Sequence, residues 1–352
     1  MLIFMERIVY ADYLRIIGII GVIGVHLSGD YLSKTTLFSS LWYHGVVFSS
    51  ITRSGVLLFI MVSGLLLLDR PQSLENIPHR IKRVMVPFIF WIFIILLKMI
   101  LIDHYFVVNS LPEFLNLFIC SLLDPFIISE EFWYIYMIIG FYLMLPILYK
   151  WIKNATEKEI EYFLIVWFAV LVLNYAGIHF MLLSYLNLFV GHIGFFLLGF
   201  YLSKNDSKYF NSVTFGLILF VIGTFMTFFS IYIPCLVSQQ LDLSYIVLQN
   251  LSPFFVLKAM GMFLICKNLD YEKLFGNYVN SVNNYAMKFA EMTYGLYLIH
   301  ILVPIRLIFN INISPFINVP ILTLIIIVVV SALLLLMNKI PVLHYFTGMK
   351  KA

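Results

Sequence analysis

Apolar runs of roughly 17–25 residues, the length that crosses a hydrocarbon core as helix, recur along nearly the whole chain. They fall at 8–28, 46–68, 84–102, 132–149, 161–178, 187–203, 211–233, 246–266, 292–309 and 318–337. The pattern predicts an all-α polytopic membrane protein, a bundle of about ten transmembrane helices. The apolar stretch from Glu113 to Leu123 is too short to cross. It reads as a re-entrant or interfacial helix, with an extra crossing as the alternative. No repeat, low-complexity linker or appended soluble domain interrupts the pattern, so residues 1–352 read as one transmembrane domain.

The polar exceptions carry more information than the runs. The first run holds Asp12, Arg15 and His26. A charge near the centre of a membrane helix costs roughly 2.5–3.5 kcal/mol on insertion scales, so a mere anchor would not keep it. Arg15 and His26 are eleven positions apart. At about 100° per residue they share one face, separated by about 16 Å along the axis. Asp12 and Gly29 fall near the same line. That face must look into protein or a water-filled cavity, because lipid cannot solvate it.

Composition agrees with the pattern. The chain is 62% hydrophobic and 11% charged, with mean hydropathy +0.99, against about 25% charged residues in soluble domains. The net charge of +4 matters less than its placement. Sixteen Lys and Arg fall on the side of the N-terminus and Lys34 alone on the other. This asymmetry predicts an even number of crossings with both termini cytosolic. Cys120, Cys235 and Cys266 have no metal or disulfide spacing and read as buried thiols. No cleavable leader is evident, and nothing points to nucleic acid.

In this orientation Arg53 in the second run lies at a depth close to that of His26, and His300 lies near mid-membrane. His192 and His300 each read either as a helix–helix hydrogen-bond partner or as a functional group. Lys98 sits at a run end, where it snorkels; Lys258 and Arg306 either snorkel or line a cavity. His79-Arg80-Ile81-Lys82-Arg83 has two readings. It is a positive-inside anchor touching anionic lipid, or a phosphate site in which Arg80 and Arg83, three apart, present guanidinium forks. Ser63-Gly64 allows either tight helix packing or close approach of a ligand. Glu130-Glu131-Phe132-Trp133-Tyr134 is an interfacial aromatic belt or, with its acids, a surface for sugar hydroxyls. Tyr294, Tyr297 and His300 add further polar aromatic groups.

Together these residues resemble the membrane acyltransferase-3 family, the bacterial envelope O-acyltransferases. The most specific element is Asp12-x-x-Arg15 followed by ten residues and His26 in the first helix. Arg53 to Ser63-Gly64 is similar to the family's second-helix motif. Arg80-x-x-Arg83 with Pro87, Phe132-Trp133-Tyr134 with Tyr142 and Pro146, and Tyr297-Leu298-Ile299-His300 are similar to three more. One departure is Glu131, where many members carry His two places before the Trp; it bears on acceptor recognition.

The resemblance implies a bacterial inner-membrane enzyme that moves an acetyl group from cytosolic acetyl-CoA to a hydroxyl of an envelope glycan or lipid-linked sugar. Succinyl and other short acyl groups stay open. No metal is implied, and the oligomeric state is unreadable. The resulting assignment makes His26 the general base or a transient acyl carrier. Arg15 binds donor or stabilises developing oxyanion charge, and Asp12 orients Arg15. Arg80, Arg83, Ser63 and Gly64 form the donor side. Arg53, Glu131, Trp133, Tyr134 and His300 are acceptor-side candidates. The rival reading is a transporter or flippase of lipid-linked or polymeric glycan, which intramembrane charges and a central cavity would also suit. Against it, the sequence shows no inverted repeat and no matched pair of broken helices.

Overall fold

The computed structural model describes residues 7–176, 191–240, 251–303 and 309–350. All regular structure among them is helical. The helices are α1 (Val9–Lys34), α2 (Ser40–Thr52), α3 (Gly55–Leu67), α4 (Asn76–Leu101), α5 (Leu111–Leu123), α6 (Trp133–Asn154) and α7 (Glu157–Tyr175). They continue with α8 (Ile193–Lys204), α9 (Val213–Ser238), α10 (Pro253–Asn268), α11 (Tyr271–Phe275), α12 (Val279–Ile299) and α13 (Pro315–Asn338). Among the described residues, six segments are long and apolar enough to cross a membrane: α1, α2 with α3, α4, Glu130–Asn154, α9 and α13.

The other four expected runs coincide with helices that are shorter or more polar. α7 opens on Glu157, Lys158 and Glu159. The runs at 187–203 and 246–266, and the ends of those at 161–178 and 292–309, lie partly outside the described residues, as does Arg306. The ninth run is displaced: α12 begins at Val279, thirteen residues before the expected start at 292. Its first half carries Asn280, Asn283, Asn284 and Lys288, which hydropathy leaves in a loop. A helix is closed by its own backbone hydrogen bonds and extends beyond the part that lipid selects. α5 is a helix of 13 residues with Ser110 as its N-cap, as its length and composition indicate.

The chain divides into two compact units. The first comprises Met1–Pro71, Tyr149–Ala290 and Ile305–Ile325. The second comprises Gln72–Leu148, Glu291–Pro304 and Ile326–Ala352.

Glycine sets the geometry of the first unit. The expected second span is broken, with α2 ending at Thr52 and α3 starting at Gly55. No proline causes the break. A Cβ on Gly55 would stand 2.5 Å from the Gly18 carbonyl oxygen and 2.7 Å from the Val22 nitrogen. A Cβ on Gly21 would meet the Thr52 carbonyl oxygen at 2.8 Å. The backbones of α1 and the break thus touch, as small residues permit. Gly64 does the same for α3 against the Phe196 backbone in α8. α1 is also tied at both ends. The Tyr13 hydroxyl donates to Asn283 Oδ1 at 2.9 Å, and the Tyr31 hydroxyl donates to the Ile313 carbonyl at 2.7 Å.

In the second unit the C-terminal turn Leu343–Phe346 lies against α4. The Trp91 indole donates to the Phe346 carbonyl at 2.8 Å, and the Phe90 and Phe346 rings stack at 4.1 Å.

Candidate functional site

The start of α1 holds the first cluster. Asp12 is 5% exposed and accepts from Arg7 Nε at 2.6 Å, while the Arg15 guanidinium stands 3.7 Å away. The expectation that Asp12 orients Arg15 therefore needs Arg7 added, since Arg7 is the nearer partner. Counting Arg7 among loop cations hid it. The signal was an arginine five residues before a buried acid, close enough to fold back over the first turn.

Three turns along α1, His26 combines exposed surface with close enclosure by protein atoms. The charged groups acting on its imidazole within this unit are Arg53 and Asp30. Arg53 is the first residue of the two-residue turn that separates α2 from α3, and its guanidinium donates to Ser49 Oγ at 3.3 Å. The break aims it: a continuous helix through Gly55 would not leave position 53 at a helix end beside α1.

The broken end of α2 is closed by a lysine. Lys258 of α10 is 0% exposed. Its ammonium donates to the Ser50 carbonyl at 2.5 Å and stands 4.9 Å from the Phe255 ring centre. A helix end presents carbonyls without partners and a partial negative charge, and an ammonium answers both. Gly223 lets α9 come close enough to hold α10 there, since a Cβ on it would stand 2.7 Å from the Lys258 backbone nitrogen. Of the two sequence readings of Lys258, the structure excludes snorkelling: the group is turned into protein.

The remaining first-unit candidates are Ser63 and Gly64. Ser63 Oγ donates to the Phe59 carbonyl at 2.8 Å, and Gly64 is occupied by the contact with Phe196 described above. Gly64 thus serves helix packing.

The second unit gathers the aromatic candidates. The Tyr297 hydroxyl donates to the Glu131 backbone carbonyl, and the Ser129 hydroxyl donates to the Glu131 carboxylate. Tyr134 meets the Tyr297 ring edge-on at 5.5 Å and Trp133 meets Tyr134 at 6.4 Å. His300 is buried, and its Nδ1–H donates to the Tyr297 carbonyl at 2.8 Å. Because a carbonyl only accepts, Nδ1 carries a proton. Glu131, Tyr134 and His300 are thus neighbours of one tyrosine, and Trp133 joins them through Tyr134.

The basic cluster opens α4, but its members part company. Arg80 donates to Gln72 Oε1 at 2.8 Å. Arg83 instead borders a hollow of about 360 Å³ with His79, Lys82, His344 and Tyr345. The expected pair Arg80–Arg83 is therefore replaced at this hollow by His79, Lys82 and Arg83. On a helix, positions 79, 82, 83 and 86 share a face and position 80 lies about 100° off it.

A sequence model of the acyltransferase domain matches residues 8–337. No curated protein and no solved structure matches the chain.

Proposed function

The chain belongs to the acyltransferase-3 family, and from that premise we propose that it is an integral membrane O-acyltransferase. It moves an acetyl or other short acyl group from acyl-CoA to a hydroxyl of an envelope glycan or lipid-linked sugar. In this reading it crosses a bacterial inner membrane ten times with both termini in the cytosol, as the lysine and arginine distribution indicates.

The observation that supports the reading is His26 enclosed on α1 with Arg53 and Asp30 acting on it. Attack of an alcohol on a thioester forms a C–O bond, breaks the C–S bond and moves the hydroxyl proton to a base. His26 takes that proton and passes it to the departing sulfur, so that CoA leaves as the thiol. General-base catalysis of this kind contributes about 10²–10⁴-fold. Arg53 bears a fixed positive charge beside the imidazole, which attracts the negative charge that develops on the reacting oxygen. Arg15, held with Asp12 and Arg7, binds the donor or stabilises the oxyanion. Arg80 and Arg83 meet CoA phosphates as cationic forks. Glu131, Trp133, Tyr134 and His300 bind the sugar, carboxylate and imidazole to hydroxyls and rings to its apolar faces.

Reconstituted protein given labelled acetyl-CoA tests the reading. Label transferred to an acceptor glycan, seen as an added acyl mass, is the expected result. Export of unmodified glycan without consumption of acetyl-CoA would favour the transporter reading and overturn this one.

A further inference from the structure

The hollow beside Arg83 does not end at the charged residues. His79, Lys82, Arg83 and Val86 continue on the same face of α4 into Ile89, Phe90 and Phe93, at helical spacing throughout. Beneath the basic hollow lies a second one of about 370 Å³, bordered by these apolar side chains with Phe118 of α5 and Phe346. Val86 is a wall of both. The far side is built as well as the near one. Phe346 is held by the Trp91 indole, and Thr347 Oγ1 donates to the His344 carbonyl at 2.8 Å. The His344 ring is fixed in turn by its Nδ1–H, which donates to the Pro341 carbonyl at 2.5 Å.

One helix face therefore passes from cationic to hydrocarbon. From Arg83 to Phe93 is about 15 Å of helix, half of a roughly 30 Å hydrocarbon core and so the depth of one leaflet. We propose that this face holds a single anionic phospholipid from the leaflet on the His79 side. Its phosphate lies among His79, Lys82 and Arg83, and one acyl chain lies against Ile89, Phe93 and Phe118. Charge complementarity at one end and an apolar channel at the other select this occupant. A free phosphate or the head of acetyl-CoA suits the upper hollow and leaves the lower one unexplained. An apolar peptide suits the lower and leaves two cations unanswered. The proposal does not depend on the acyltransferase chemistry, but Arg83 is common to both ligands, so lipid and donor phosphates exclude one another there.

Native mass spectrometry of the delipidated full-length protein in detergent, with phosphatidylglycerol or phosphatidylcholine added, tests it. One phosphatidylglycerol adduct should be retained more strongly than any phosphatidylcholine adduct. Replacing Lys82 and Arg83 together by Gln should lower its retention about twenty-five-fold, roughly fivefold per cation near a surface. Replacing Ile89 and Phe118 together by Asn should lower it as well, while binding of acetyl-CoA stays unchanged. Should either pair lower the melting temperature, Val86→Trp, which fills the wall common to both hollows, serves in its place. Equal retention of the two lipids overturns the proposal. So does retention that the cation pair reduces and the Ile89/Phe118 pair does not, because that marks a phosphate site without a chain. Neither result touches the assignment of His26.

Discussion

The broken end of α2 and the opening turns of α4 both concentrate positive charge, and they use it in opposite ways. At the break, Lys258 and Arg53 are drawn into protein and directed at oxygens of α2, the Ser50 carbonyl and the Ser49 hydroxyl. At the α4 start, Lys82 and Arg83 are exposed and border open space. A charge removed from water must be met by protein groups and so becomes part of the architecture. A charge left at the rim of a hollow keeps its hydrogen-bonding capacity for something that arrives. Residue type alone does not separate the two cases; the partner does.

Substitutions at four positions break or sharpen this contrast. His26→Ala, beside the buried set, should cost about 10²–10⁴-fold in acyl transfer while expression and donor binding persist. Normal modification of the glycan by that variant would remove His26 from the chemistry. Lys258→Ala should lower stability by about 2–5 kcal/mol, the range for emptying a buried long side chain. Lys258→Met restores the packing without the ammonium and should still fall about 1 kcal/mol short through the lost bond to Ser50. Thermal melting of the purified variants reads both, and a Met variant as stable as the parent would show that the charge does not hold the break. At the α4 start, Arg83→Ala should weaken acetyl-CoA binding about tenfold, near 1.4 kcal/mol. Arg80→Ala should do so less, since Arg80 is already engaged by Gln72. Titration calorimetry decides the order; a larger loss for Arg80 would return the donor phosphates to the Arg80 side of the helix.

Much of this was legible in the chain of letters. Asp12, Arg15 and His26 stand out because lipid makes charge costly and helical spacing puts them on one face. The apolar runs give helices where they are long and clean. The break at Arg53–Ser54 was not legible, because no local breaker marks it. Gly55 looks like any small residue in an apolar helix until Gly18 and Gly21 arrive from another part of the chain. Arg7 was hidden by belonging to a loop count. The role of Lys258 depended on the carbonyl it reaches, some two hundred positions earlier in the chain. The early start of α12 escaped because hydropathy records which surface lipid accepts, whereas the helix extends on backbone bonds. The pairing of Arg80 with Arg83 followed spacing correctly but not the neighbour, Gln72, that claims one of them.

The two tyrosines that fasten α1 lie eighteen residues apart, which on a helix of 3.6 residues per turn is five whole turns. The distance between Asn283 and Ile313 is therefore measured out in residues, like the rungs of a ladder cut to fit a fixed height. Adding or removing one rung between Tyr13 and Tyr31 would swing everything beyond it by about 100° and force one fastening to release. Evolution and engineering alike are free to change what this helix is made of far more readily than how many residues it contains.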